Sequence, residues 1–104
     1  MKRVLVLCST SRYRRELLAR LRLPFDCAAP DIDETPLPNE AAAALSERLA
    51  IAKAKALASR FPDSVLIGSD QAATCAGRLL GKPGTRAAAI AQLRAASGRT
   101  VEFH

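Results

Sequence analysis

The chain has few of the residues from which metal clusters, disulfide frameworks and aromatic platforms are built. Its single histidine is the terminal His104, and its three cysteines lie far apart with no CxxC pair. A zinc site of Cys and His ligands and a disulfide framework are therefore both poorly supported. Aromatic residues make up 4% of the chain, with no tryptophan, which argues against a stacking platform for nucleic acid. We expect reduced cysteines packed as small hydrophobic side chains, in a soluble cytoplasmic protein.

Long apolar segments and several well-known motifs are also missing. The longest clean apolar run, residues 4–8, is far too short to span a bilayer, so we expect no membrane partner. The sequence has no GxxxxGK[ST], no GxGxxG and no nucleophile elbow. The chain is therefore not a P-loop protein.

The composition that remains is that of one small globular domain with a divided charge. The 104 residues are 49% hydrophobic and 25% charged, which argues against disorder over the whole chain. The net charge is +6, with the basic residues concentrated in residues 1–22 and five carboxylates but no cation in residues 23–40. A basic segment followed by an acidic one suits a polyanion that is held partly through a metal ion. Chance clustering of surface charges explains the same pattern equally well.

The hydrophobic pattern predicts an α/β fold. The β-branched run at residues 3–8 is typical of a buried parallel strand. Asn39 is the predicted cap of a long helix that extends to about Ser59 and buries Leu45, Leu49, Ala52 and Ala56. The other predicted elements are a helix over 12–22, strands at 23–29, 64–68 and 100–103, a hairpin over 72–80 turning at Ala76 and Gly77, and a helix over 86–96 capped by Thr85.

Three local features could carry phosphate chemistry. Hydroxyls at residues 9–11 precede Arg14 and Arg15 at a predicted helix start, which suits a phosphate but also fits an ordinary capped helix with a solvated basic face. Asp33 and Glu34 are paired carboxylates that can hold a divalent cation, although most acidic loops are only solvated. Asp70 follows a predicted buried strand and is a candidate base or metal ligand, with Lys82 nearby as a candidate cation for a leaving phosphate.

Four segments follow one another along the chain: CSTSRYRRELL at residues 8–18, PDIDETP at 30–36, IGSDQ at 67–71 and GKP at 81–83. In this order they resemble the Maf family of nucleotide pyrophosphatases. The resemblance implies a Maf/ITPase-like mixed sheet with flanking helices, truncated after the first half of the fold, so that residues 1–104 form one partial domain. It also implies hydrolysis of a nucleoside triphosphate between its α- and β-phosphates, with Mg²⁺ or Mn²⁺ as cofactor.

The resemblance also implies roles for individual residues. Asp70 would accept the proton of the attacking water, and Glu34 and Asp70 would place the metal. Ser9, Arg14, Lys53 and Lys82 would contact phosphates. Tyr13 and Gln71 resemble the branch acting on 7-methyl-GTP, because members acting on dTTP and UTP usually have Arg and Thr there. An aromatic face attracts the cationic ring of 7-methylguanine, and Gln71 could hydrogen-bond a purine edge.

Other interpretations stay open at this point. The chain could act on dTTP or UTP, and it could be weakly active or inactive as a half-length chain. It could retain phosphate affinity without catalysis. A small basic nucleic-acid-binding module is a further alternative, against which the acidic loop and the few aromatics argue. An open sheet edge would also allow self-pairing into a homodimer.

Overall fold

A computed structural model describes residues 4–104, and the described chain forms six strands and three helices. In chain order these are β1 (Leu5–Cys8), α1 (Arg12–Ala19), β2 (Asp26–Ala28), α2 (Ala42–Ala56), β3 (Val65–Ile67), β4 (Ala73–Cys75), β5 (Arg78–Leu80), α3 (Arg86–Ala96) and β6 (Val101–Phe103). The predicted α/β class is confirmed.

The first sheet is parallel and has β1 at its centre. Its strand order is β2-β1-β3, and β1 pairs in parallel with both neighbours. Val6, Leu7 and Cys8 are buried, as expected for a strand covered on both faces. The predicted start of this strand at Arg3 lies outside the described residues. Because all three strands run the same way, the segments that follow them emerge at one edge of the sheet.

The second sheet is antiparallel, with the order β5-β4-β6. The predicted hairpin is confirmed: Ala73 pairs with Leu80, and the turn residues Ala76 and Gly77 have φ of 51° and 77°. Two successive positive φ values are typical of the tight turn that matches strand twist. The strands of residues 4–104 therefore form two sheets, and the mixture expected from the resemblance consists of one parallel and one antiparallel sheet. Self-pairing of an edge strand into a homodimer stays a prediction.

The predicted cap of α2 is wrong. The helix is capped by Ala41, and within the described chain no side chain bonds to that helix start. Asn39 instead has a φ of 59°, a left-handed conformation that Asn tolerates, in a turn where Glu40 N donates to Leu37 O. Because of this turn, the cap of α2 lies two residues later in the chain than predicted.

The core lies between α2 and the loop before β4. Leu45, Leu49 and Ala72 form its buried cluster, so the first half of the predicted stripe is confirmed. Ala56 is exposed, contrary to the prediction, because the helix ends there and Leu57 is buried in its place. The Cα radius of gyration is 16.0 Å, whereas about 13 Å is usual for 100 compact residues. The chain is thus elongated around a small core.

Two further predictions need correction. Helix α1 ends at Ala19 rather than at Arg22, since Arg22 has a left-handed φ of 56°. Cys8 and Cys75 are buried as expected, and burial raises the pKa of the Cys8 thiol, but Cys27 is exposed because it lies on the edge strand β2.

Among residues 4–104, no helix has both the length and the apolar character needed to cross a bilayer.

Candidate active site

A cleft of about 530 Å³ opens at the edge of the parallel sheet where the three strands end. Ser9 follows β1, Glu34 follows β2 and Asp70 follows β3. The structure brings all eight sequence-predicted site residues to the lining of this one cleft. They are Ser9, Tyr13, Arg14, Glu34, Lys53, Asp70, Gln71 and Lys82.

The segment between β1 and α1 is fixed by its own hydroxyls. The Ser9 side chain accepts a hydrogen bond from Ser11 N at 3.0 Å, and Ser11 caps α1 by accepting from Arg14 N at 3.3 Å. Arg14 Nη1 donates to the carbonyl of Ser69 at 3.1 Å. The start of α1 is therefore bound to the segment that carries Asp70, a contact that the sequence motifs did not reveal.

Lys53 lines the cleft and is nearly buried. Its Nζ is 3.0 Å from Asp70 Oδ1 and 2.9 Å from Glu34 Oε1. The Lys53 side chain is 9% exposed and that of Asp70 is 11% exposed, whereas Glu34 is 59% exposed. A desolvated charge needs partners of opposite sign. One ammonium therefore joins the two predicted metal ligands, a pairing that the sequence analysis did not anticipate.

The acidic loop is held against α2 by Arg48. Arg48 Nε and Nη2 donate to the two carboxylate oxygens of Glu40 at 2.7 and 2.9 Å, and Nη2 also donates to Thr35 O at 3.2 Å. Asp33 accepts from the backbone and the hydroxyl of Thr35, which lowers the pKa of its carboxyl. Asp33 is thus engaged within the loop, and Glu34 is the carboxylate that reaches the cleft.

The Glu40–Arg48 pair predicts a loss of stability in acid. Arg48 holds the pKa of Glu40 below its usual range, and a bond from Leu37 N adds to this effect. A lowered folded-state pKa stabilises the protein above the unfolded value of about 4.3, and the stabilisation is lost as the pH falls through the folded-state value. We expect Glu40→Gln to lower the melting temperature at pH 7 and to have little effect at pH 3. Thermal melts of both proteins at both pH values test this, and an equal difference at pH 3 would contradict it.

Three exposed side chains line the outer part of the cleft. Tyr13 is 79% exposed on α1, and Gln71 and Lys82 are also exposed. The loop carrying Lys82 is tied to α3, because Gln92 Nε2 donates to Gly81 O at 2.8 Å. Because the side chains of Tyr13, Gln71 and Lys82 are exposed, they can contact a ligand that enters from solvent.

The carboxylates of the cleft fit a divalent cation shared with a phosphate ligand. Within residues 4–104 no cluster of three His, Cys, Asp or Glu could hold a metal by itself. Glu34 and Asp70 nevertheless converge on a single atom, Lys53 Nζ. Mg²⁺ is commonly held by one or two carboxylates together with substrate phosphates and water. The donor set thus fits Mg²⁺ or Mn²⁺ when a phosphate supplies the remaining oxygens.

The sequence is similar to that of known proteins. The sequence profile described as "Maf-like protein" matches residues 4–104. The chain belongs to the Maf-like family. Similar curated relatives are each named 7-methyl-GTP pyrophosphatase. The protein from Polaromonas sp. (strain JS666 / ATCC BAA-500) is 62% identical over 97% of this chain and 46% of its own length. The protein from Bordetella pertussis is 61% identical over 96% of this chain and 50% of its own length.

The Maf-like chain spans about half the length of the curated relatives it matches. A third relative, from Burkholderia pseudomallei (strain K96243), is 62% identical over 96% of this chain and 48% of its own length. The matched half includes every residue that the sequence analysis assigned to the site. The roles of these residues stay predictions.

Proposed function

We propose that this Maf-like chain carries the phosphate-binding face and the water-activating carboxylate of a nucleotide pyrophosphatase. The proposed substrate is 7-methyl-GTP, and the products are 7-methyl-GMP and pyrophosphate. The observation that carries the proposal is that Asp70 shares one cleft with Ser9, Arg14 and Lys82. The names of relatives that are about 60% identical over nearly the whole chain support the substrate.

The chemistry follows from the charges that line the cleft. Water attacks the α-phosphorus, the bond from that phosphorus to the oxygen bridging to the β-phosphate breaks, and pyrophosphate leaves. Asp70 takes the proton of the attacking water. The Arg14 guanidinium and the Lys82 ammonium balance the negative charge that grows on the leaving pyrophosphate. Ser9 adds a hydroxyl that can hydrogen-bond a phosphate oxygen.

A divalent cation is part of the proposal. Glu34 and Asp70 would hold the cation, and the bound cation would neutralise part of the phosphate charge. Lys53 is the third charged group at this point of the cleft. Its ammonium has three N–H donors, and two of them face carboxylates in this structure. A phosphate oxygen is a further acceptor that the Lys53 ammonium could contact.

The test of this function is the identity of the products. The chain is incubated with Mg²⁺ and 7-methyl-GTP, GTP or UTP, and the products are separated by ion-exchange chromatography. We expect a monophosphate and pyrophosphate in equal amounts, with 7-methyl-GTP preferred. A diphosphate and inorganic phosphate would contradict the proposed bond cleavage. Calorimetric binding of 7-methyl-GTP with Mg²⁺, without any products, would favour a binding protein over an enzyme.

Base selection is proposed to depend on Tyr13 and Gln71. The Tyr13 ring is exposed beside the cleft, and its face would attract the cationic 7-methylguanine ring by about 0.5–2 kcal/mol. We expect the double change Tyr13→Arg, Gln71→Thr to lower the ratio of kcat/KM for 7-methyl-GTP over UTP by about 2- to 30-fold. The two substrates are assayed in parallel. An unaltered ratio would show that these positions do not select the base.

A further inference from the structure

The contact between Lys53 and the two carboxylates has a consequence for the order in which ligands bind. Lys53 Nζ lies 2.9 Å from Glu34 Oε1 and 3.0 Å from Asp70 Oδ1. These are the same two carboxylates that fit a divalent cation. Among residues 4–104, no other cation forms an ion pair with either of them. The ammonium therefore occupies the position from which a metal ion would contact both.

Lys53 is held in this position by the packing of its helix. Its side chain is 9% exposed, and it lies on the buried face of α2 with Leu49. One turn away, the backbone of α2 touches β3's end so closely that a Cβ on Gly68 would stand 1.9 Å from Ala50 O. The helix therefore fixes the Lys53 backbone, and only its flexible four-carbon side chain can move the ammonium.

We propose that Lys53 competes with the divalent cation for Glu34 and Asp70, so that the cation binds together with a nucleoside triphosphate rather than before it. This inference rests on the proposed function, because it assumes that the cleft takes a triphosphate. Without phosphate, a divalent cation at the two carboxylates would face the Lys53 ammonium at short range, and like charges repel strongly away from bulk water. Triphosphate oxygens give Lys53 a new acceptor and release both carboxylates to the metal.

Metal affinity without nucleotide tests the proposal. Free Mn²⁺ is measured by electron paramagnetic resonance in titrations of the wild-type chain, Lys53→Met and Lys55→Met. Lys55 is a matched control, because it is exposed on the same helix and its replacement removes the same charge. We expect Lys53→Met to bind Mn²⁺ about tenfold more tightly than wild type, and Lys55→Met to bind like wild type. Equal or weaker binding by Lys53→Met would overturn the proposal.

A double variant tests whether the additional Mn²⁺ affinity comes from the two carboxylates. Adding Glu34→Gln to Lys53→Met should abolish the gain in Mn²⁺ affinity, because one of the two carboxylates is then neutral. A gain that persists in the double variant would mean that the metal binds elsewhere, and it would overturn the proposal. Neither titration involves hydrolysis. A chain that binds Mn²⁺ as expected but releases no pyrophosphate therefore contradicts the proposed function and leaves the competition intact.

A second measurement uses the unaltered chain, in case Lys53→Met does not fold. The side-chain ammonium signal of Lys53 is followed by nuclear magnetic resonance in chain labelled with ¹⁵N-lysine, and it is identified by its loss in Lys53→Arg. We expect the signal to stay in place when Mg²⁺ alone is added. We expect it to move when Mg²⁺ is added with a non-hydrolysable α,β-methylene analogue of 7-methyl-GTP. Movement with Mg²⁺ alone, or none with both, would refute the ordered binding.

Discussion

Replacing Asp70 with Asn is expected to lower kcat for pyrophosphate release by about 100-fold or more, the usual contribution of a positioned general base. The amide keeps the size of the carboxylate but cannot accept the proton of the attacking water. Ser9, Arg14 and Lys82 remain in the cleft to bind the triphosphate, so we expect a smaller change in KM. Steady-state kinetics with 7-methyl-GTP and Mg²⁺ separate the two quantities.

The control for Asp70→Asn must separate lost chemistry from lost stability. Asp63→Asn makes the same change of charge in the exposed turn before β3 and should leave kcat unchanged. Breaking a buried ion pair can cost about 3–5 kcal/mol, and we expect less here because Lys53 keeps Glu34 as a partner. Kinetics are therefore measured well below the melting temperature of each variant. A kcat within a few-fold of wild type for a folded Asp70→Asn would remove Asp70 from the role of base.

The location of the site could be predicted from the sequence because it depends on strand direction. Apolar, β-branched runs identify β1 and β3, although β3, which is expected to be buried, is only half-buried, with Val65 exposed. Polar residues that follow parallel strands meet at one edge of the sheet. Ser9 and Asp70 satisfy this rule, so local patterns were enough to bring them together. Lys53 lies on a helix, and only the family resemblance selected it over Lys55.

The contacts that hold the site could not be predicted in the same way. Arg48 and Glu40 are eight residues apart and belong to a helix and to the loop before it, whereas sequence rules address pairs three or four apart within one helix. The Arg14 bond to the Ser69 carbonyl joins residues 55 apart. Such pairs depend on how elements pack, and a single sequence does not encode that packing in a local pattern.

The start of α2 illustrates a conflict between local preference and tertiary contact. Asn39 is the better cap by side-chain chemistry, but the helix begins after Ala41. Glu40 accepts from Leu37 N and pairs with Arg48 in the second turn of the helix. The turn that these bonds close needs a left-handed residue, and Asn39 supplies it. The same residue type thus serves the turn rather than the cap, because the ion pair decides where the helix begins.

The close approach of α2 to the end of β3 makes Gly68 sensitive to the smallest substitution, an added Cβ. A Cβ at Gly68 would stand 1.9 Å from Ala50 O and 3.0 Å from Ala54 Cβ. The carbonyl belongs to the helix backbone and cannot rotate away, so Gly68→Ala must push α2 from the sheet. We expect a loss of at least about 2 kcal/mol in the free energy of unfolding, a large share of the roughly 5–15 kcal/mol typical of a small domain. Urea denaturation monitored by circular dichroism measures the loss.

The functional effect of Gly68→Ala follows from what each element carries. Helix α2 carries Lys53, and β3 leads to Asp70 two residues after Gly68, so separating them lengthens the Lys53–Asp70 contact. Gly81→Ala is the matched control, because among residues 4–104 nothing lies within 4 Å of a Cβ built there. We expect Gly81→Ala to unfold at the same urea concentration as wild type within error. If Gly68→Ala also unfolds at the urea concentration of wild type, the tight contact does not fix α2. In that case Lys53 is not held beside Asp70 by this contact.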